Sequence, residues 1–332
     1  MYVSELGEFG LIGRLASQVA AATSVHHGQT ELTVTIGDDT AAWNVGEVTE
    51  LLTTDTVVQG VHFTPETSTW QTVGWKGLAS NLSDIASMGG IPTFAVVTLG
   101  LPDNTLVEDL DGLYSGLLEA ATTYGVSIIG GDIVASPVFF VTIAQTGIIH
   151  ESPMLRSNAK PGDLIAVTGT LGGSAAGLAL LQGEISSDNS DNSALIEAHQ
   201  RPLPRISEGQ ALTNAGVLCA MDVSDGFLSD LTKICIASGH SARIDASDIP
   251  VHPAASKAFP QTSLGLALNG GEDYELVFTA TENVIATLDG KLESGLTVIG
   301  RIVAGEPGPI NVVDRDGKPL GVDAQGWDHL KP

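Results

Sequence analysis

Short β-like runs alternate with helical patterns along this chain, and that alternation constrains its fold more than any other feature. In the first half, 32–36 and 48–54 read as strands, 70–88 as a helix, 94–101 as a strand and 106–124 as a helix. Two further extended runs, 126–129 and 138–149, follow. A turn-rich stretch from Ser152-Pro153 to Ala159-Lys160-Pro161-Gly162-Asp163 then interrupts the pattern. Beyond it the alternation restarts, with strands at 164–167, into Met221, at 274–279 and at 297–303. Helices are expected at 174–181, 205–215 and 228–238, and a polar surface loop at 186–193. The reading is an α/β (α+β) chain of two domains, 1–152 and 153–332. At roughly 150 residues per domain, 332 residues agree with it.

Carboxylates recur at the ends of these elements. Gly37-Asp38-Asp39 follows the first strand, Thr53-Thr54-Asp55 is read as closing the second, and Gly130-Gly131-Asp132 as following the run 126–129. Asp222-Val223-Ser224-Asp225-Gly226 leaves a strand and opens a helix, and Gly270-Gly271-Glu272-Asp273 precedes a strand. Asp84 differs, lying inside a helix where Gly77, Asn81 and Asp84 border the apolar face of Leu78, Leu82 and Ile85. One such turn alone reads as a cap or an Asx-turn. Their number matters because cations are scarce: 14 Lys and Arg face 39 Asp and Glu, a formal charge of −25. Converging carboxylates repel one another unless cations intervene, and hard divalent cations with oxygen ligands answer that need.

The same composition excludes other classes. With 43% hydrophobic residues the chain is no disordered acidic tail. The deficit of cations rules out a nucleic-acid groove and argues against an anionic membrane surface. The start, Met1-Tyr2-Val3-Ser4-Glu5, lacks a signal-peptide pattern, and the two cysteines, Cys219 and Cys235, sit in apolar surroundings, so a cytoplasmic protein with buried thiols is expected. No P-loop, H-R-D loop or G-x-S-x-G elbow occurs, and the glycines of 169–177 miss the dinucleotide spacing.

Taken together and in order, Gly37-Asp38-Asp39, Thr53-Thr54-Asp55 with Gly60-Val61-His62-Phe63, Asn81 to Gly89, Gly130-Gly131-Asp132, Asp222 to Gly226 and Gly270 to Leu276 resemble the bacterial thiamine-monophosphate kinase family. The likeness runs from Gly7-Glu8-Phe9 to Gly326-Trp327-Asp328-His329. That family shares a superfamily with aminoimidazole ribonucleotide synthetase, selenophosphate synthetase and the hydrogenase-maturation carbamoyl dehydratase. The resemblance implies ATP-dependent phosphorylation of thiamine monophosphate with several Mg²⁺ ions, in a homodimer paired through the sheets of the N-terminal domains. It implies metal ligation by Asp39, Thr53, Asp55, Asp84, Asp132 and Asp222, with Thr54 in support and Asp225 as a further ligand. Asp39, Asp84, Asp132 and Asp222 are the residues expected to carry catalysis. Gly131, Ser224 and Arg156 resemble nucleotide-phosphate contacts, and Tyr114 an adenine neighbour. His62, Glu272 and Trp327 resemble the thiamine-phosphate pocket.

The alternatives are another enzyme of that superfamily or a non-catalytic acidic metal-binding protein. Selenophosphate synthetase would want a reactive residue near the N-terminus, whereas the first cysteine is Cys219, and the dehydratase would want a C-terminal cysteine where this chain has His329-Leu330-Lys331-Pro332. Aminoimidazole ribonucleotide synthetase is disfavoured by the 60–63 and 270–276 segments.

Overall fold

A computed structural model describes residues 3–22, 31–183, 192–322 and Leu330. Trp327 and most of the polar run 186–193 lie outside the described residues. The first domain begins with α1 (Val3–Leu6) and α2 (Glu8–Ala22). It continues with β1 (Glu31–Val34), β2 (Ala41–Val45), β3 (Val48–Val58), α3 (Trp70–Ser87), β4 (Ile91–Leu101), α4 (Val107–Tyr124), β5 (Ser127–Ala135) and β6 (Phe140–Ile149). These strands form one six-stranded mixed sheet, ordered β1-β2-β3-β6-β4-β5, in which only β4 and β5 run parallel.

Alternation along the strands gives this sheet two different faces. Val57, Val97, Leu99, Val141 and Ile143 pack beneath α3 and α4 against Leu78, Leu82, Leu113 and Leu117. The other face carries Leu52, Phe94, Val96 and Val134, all exposed. Helix α3 starts at a capping box in which Thr69 and Thr72 satisfy each other's backbone N–H groups. It crosses α4 closely, because a Cβ on Gly116 would run into the Gln71 carbonyl.

The second domain follows a 3₁₀ turn at Arg156–Asn158. It contains β7 (Leu164–Thr168), α5 (Gly173–Leu181), α6 (Asn192–Gln200), α7 (Ile206–Asn214), β8 (Cys219–Asp222), α8 (Phe227–Ser238) and β9 (Ser241–Asp245). It ends with α9 (Pro253–Ala258), α10 (Ser263–Asn269), β10 (Leu276–Ala280), α11 (Glu282–Leu288), β11 (Leu296–Val303) and β12 (Ile310–Val313). The sheet order is β12-β9-β11-β7-β10-β8, again mixed, with only β12 and β9 parallel. Strands β7, β10 and β8 are covered on both sides. Val167, Met221 and Val277 meet α8 on one face, while Ala166, Ala220 and Phe278 meet α7 and α11 on the other. Cys219 and Cys235 are free and buried, and burial pushes both thiols up to about 12.

The domains meet along α3. Its Ala86 belongs to the same apolar cluster as Leu212 and Phe278, and a Cβ on Gly209 of α7 would strike the Ala86 carbonyl. One helix therefore anchors both cores and carries Asp84 between them. Two expected turns prove to be strand interiors. Strand β3 runs on to Val58, so Asp55 lies within it, and Asp132 sits in the middle of β5. Gly131 marks close approach to a neighbouring strand, since a Cβ there would collide with the Val97 carbonyl.

Candidate active site

A cleft of about 1300 Å³ opens between the domains. At its floor, one carboxylate oxygen from each of Asp39, Asp84 and Asp222 lies within 4.8 Å of the others. The three arrive from unrelated places: the bend after β1, the last turn of α3 and the last residue of β8. The Thr53 hydroxyl donates to Asp84, and the Arg156 guanidinium clasps Asp39 and lies 3.7 Å from Asp38. Asp55, on the same strand face as Thr53, also lines the cleft. Burial, then the charges of Asp55, Asp222 and Asp39, hold the Asp84 carboxyl well above the usual carboxylate range. Burial and then Asp39 and Asp230 do the same to Asp222. Burial and then Asp39 raise Asp38 to about 7.

One oxygen of Asp39, Oδ2, is buried and has no hydrogen-bond partner among the described residues. An orphaned oxygen beside two more carboxylates is a costly arrangement for a protein alone. It suits a hard divalent cation: the donors are all oxygen, and no cysteine or histidine belongs to the cluster.

Two pinned loops close the site. In the first, the backbone N–H groups of Ser224, Asp225 and Gly226 donate to Asp230 Oδ2 at 3.0, 3.1 and 3.1 Å. Lys233 bonds Asp230 and Asp225 at 2.7 and 2.6 Å, so Asp225 stands at the cleft edge on a lysine, outside the three-carboxylate group. In the second, Glu272 and Tyr274 adopt left-handed φ values of 62° and 53°, costing about 1–3 kcal/mol each. Their neighbours hold the loop in place. Asp273 accepts from the backbone N–H groups of Gly172 and Ser174 at 2.6 and 3.1 Å, and Arg205 grips Glu275 at 2.7 and 2.6 Å. Glu272 and Tyr274 are thereby turned into the cleft. Burial, then Glu272, Asp55, Asp222 and Asp84, raise the Tyr274 phenol well above its ordinary value, so it keeps its proton among the carboxylates. His62 also lines the cleft, its Nδ1 accepting from the Val58 N–H at 3.0 Å.

Of the residues expected from sequence, Asp39, Thr53, Thr54, Asp55, His62, Asp84, Arg156, Asp222, Ser224, Asp225 and Glu272 line this one cleft. Thr54 does so from the opposite strand face to Thr53 and Asp55. Asp132, Gly131 and Tyr114 do not line it. Asp132 pairs with Thr98, Thr98 with Thr142 and Thr142 with Thr56. That places Asp132 three strands away from β3, about 14 Å at the usual spacing. It is exposed on the edge strand, with Gly131 beside it. Tyr114 is half-buried on α4 against the first core. Lys76, His199, Tyr274 and Asp230 were not singled out from the sequence. A lone lysine in a helix and a tyrosine beside two acids carry no signal until the fold brings their partners to them.

The profile of the AIR synthase related protein, N-terminal domain, matches residues 37–149, and that of the AIR synthase related protein, C-terminal domain, matches 160–311. Thiamine-monophosphate kinase of Escherichia coli (strain K12) is 40% identical over 333 residues, covering 98% of both chains. That of Bacillus subtilis is 35% identical, covering 98% of this chain and all of the relative. Among solved structures, AaThiL complexed with AMPPCP and TMP superimposes with a TM-score of 0.86 at 32% identity, covering 99% of each chain. Thiamine monophosphate kinase from Aquifex aeolicus gives 0.79 at 29% identity, covering 96% of this chain and 99% of that one. E. coli HypE, at 18% identity and a TM-score of 0.67 over 96% of this chain and 99% of its own, shares the fold. Two matched domains, the full-length likeness and one acid-floored cleft agree: this chain belongs to the thiamine-monophosphate kinase family of AIR synthase related proteins.

Proposed function

We propose that this chain transfers the γ-phosphoryl group of ATP to thiamine monophosphate, giving thiamine diphosphate and ADP. The observation that carries the reading is the convergence of Asp39, Asp84 and Asp222 in a cleft that also holds Arg156 and Ser224, together with His62 and Glu272. Asp39, Asp55, Asp84 and Asp222 would hold Mg²⁺, with Thr53 fixing Asp84. Bound there, the metal supplies the positive charge that lets two anionic reactants approach. The acceptor is a phosphate monoester, largely dianionic near neutral pH because its second pKa is about 6. It needs no general base, and none is assigned. Arg156 and the Ser224 side chain, on the turn that Asp230 pins, orient the nucleotide phosphates, and Glu272 and His62 orient the acceptor ring.

The active unit in this reading is a homodimer. The uncovered sheet face bearing Leu52, Phe94, Val96 and Val134 is apolar, and it ends at the unpaired edge of β5. A second copy pairing there would place Asp132 and Gly131 at the join between subunits rather than deep in their own cleft. Among the described residues no helix is long and apolar enough to cross a membrane. The two free, buried thiols fit a reducing cytoplasm.

The test is incubation with Mg-ATP and a panel of phosphorylated acceptors, followed by chromatography. Thiamine monophosphate should be converted to thiamine diphosphate, and γ-labelled ATP should leave no label on the protein. Turnover of a different acceptor only, or a stable labelled phosphoprotein, contradicts the reading.

A further inference from the structure

Away from the carboxylate floor, the cleft contains a buried chain of polar side chains drawn from four separate segments. Lys76 of α3 is 6% exposed. Its Nζ donates to Glu272 Oε2 at 2.9 Å and lies 3.3 Å from His199 Nε2 on α6. On the other side of that ring, Nδ1 lies 3.1 Å from Ser174 Oγ on α5 and 3.5 Å from the same Glu272 Oε2. An ammonium group donates only, so Nε2 accepts and Nδ1 carries the proton. The imidazole is then neutral with one tautomer. Its surroundings agree, since burial and then the Lys76 charge lower His199 to about 4.

This chain restrains one oxygen of Glu272 and leaves the other. Lys76 and His199 both converge on Oε2, while no hydrogen bond from a described residue reaches Oε1. The backbone cannot relax to redirect the carboxylate either. Glu272 is held at a φ of 62°, with its N–H donating to Ser224 O at 2.8 Å. Lys76, Ser80 and Asp84 line the same cleft at i, i+4 and i+8 on α3. Eight residues of helix put Lys76 about 12 Å from Asp84 along the axis. Glu272 therefore stands at the far end of the cleft from the carboxylate floor, where the ring end of an acceptor would lie when its phosphate is at Asp84.

We propose that Lys76, braced by His199 and Ser174, is a positioning residue that fixes Glu272 so that Oε1 accepts a hydrogen bond from the amino group of the acceptor's pyrimidine ring. The inference deepens the proposed function and rests on thiamine monophosphate being the acceptor. Its consequence is specificity. An analogue whose ring amine is replaced by an oxo group would set an acceptor oxygen against a fixed carboxylate, leaving buried polar groups unpaired, the kind of mismatch that sites reject most strongly.

The experiment measures kcat/KM for thiamine monophosphate and for its oxo analogue, at saturating Mg-ATP, in the unmodified protein and three variants. The unmodified protein should prefer the amine by about 30-fold or more. Lys76→Met should lower kcat/KM for thiamine monophosphate by about tenfold or more, chiefly through KM, and leave the oxo analogue little changed, so the preference falls by the same factor. His199→Leu should lower the preference in the same direction. His199→Gln, which keeps an acceptor for Lys76, should restore it. Equal conversion of both acceptors by the unmodified protein overturns the proposal. So does equal loss of both substrates in Lys76→Met, since the lysine would then merely join the domains. If Lys76→Met does not fold, the His199→Leu and His199→Gln pair decides by the same ratio. No conversion of thiamine monophosphate by the unmodified protein is a separate result, and it overturns the functional reading beneath.

Discussion

Asp84→Asn should cut formation of thiamine diphosphate by more than a hundredfold, yet leave the metal-free protein as stable as the parent or more so. Loss of a partner behind a metal ligand typically costs roughly 10–100-fold, and a ligand itself should cost more. The stability half follows from the electrostatics. Asp84 is pushed well above the usual carboxylate range by burial and by Asp55, Asp222 and Asp39, so its ionised form opposes folding when no cation is present. Asparagine keeps the shape, can still accept from the Thr53 hydroxyl and removes the charge. The pH dependence has a definite sign. A carboxyl raised in the folded state binds more protons there than in the unfolded chain. Its stabilising effect is complete below the ordinary value of 3.8 and is lost as pH rises through the folded value, about 7 for Asp38. Metal-free protein should therefore lose stability between those limits, and the gain in melting temperature on adding Mg²⁺ should grow with pH. Melting curves in chelator and in Mg²⁺, for parent and variant, check both halves. Activity within a few-fold of the parent, or an Asn variant that melts earlier in chelator, contradicts the assignment.

Phe94→Lys should split the proposed dimer and reduce activity by about tenfold or more. Phe94 is 51% exposed on the open face of the first sheet, beside Val96 and across from Thr146. Burying an aromatic side chain there is worth about 1.5–3 kcal/mol, and a symmetric dimer buries it twice. A lysine would set two like charges into the join. Asp132→Asn provides the complementary arm: activity should fall as far while the mass stays that of the parent, because Asp132 lies on the exposed edge strand, at the proposed join. Light scattering coupled to gel filtration reads the mass, and chromatography of thiamine diphosphate reads activity. A parent protein that is monomeric and active, or a monomeric Phe94→Lys variant with full activity, removes the dimer from the account.

Which residues could be read in advance depended on how local their signals are. Asp84 was legible because the 70–88 apolar spacing makes a helix and places its carboxylate at the border of the buried face. Asp39 and Asp222 were legible because small residues follow or precede them at strand ends. Asp132 misled because two glycines read as a turn, whereas Gly131 serves the close approach of β5 to the Val97 carbonyl. Asp55 misled in the same way, since threonines suit strands as well as turns and β3 simply continues. Lys76 was invisible for a different reason. Its partner Glu272 is 196 positions away, and only the joining of the two domains along α3 brings them together. The left-handed backbone at Glu272 and Tyr274 is likewise set by contacts of Asp273 and Glu275 with distant segments, not by the residues themselves.

The most direct test of the central claim is calorimetric titration of ATP into the protein with Mg²⁺ present and again after exhaustive chelation. If Asp39, Asp84 and Asp222 are a frame for divalent cations, ATP should bind in the first case and show at least about a hundredfold weaker affinity in the second, because the bare floor of the cleft repels its phosphates. Equal affinity for ATP in both titrations would contradict the account.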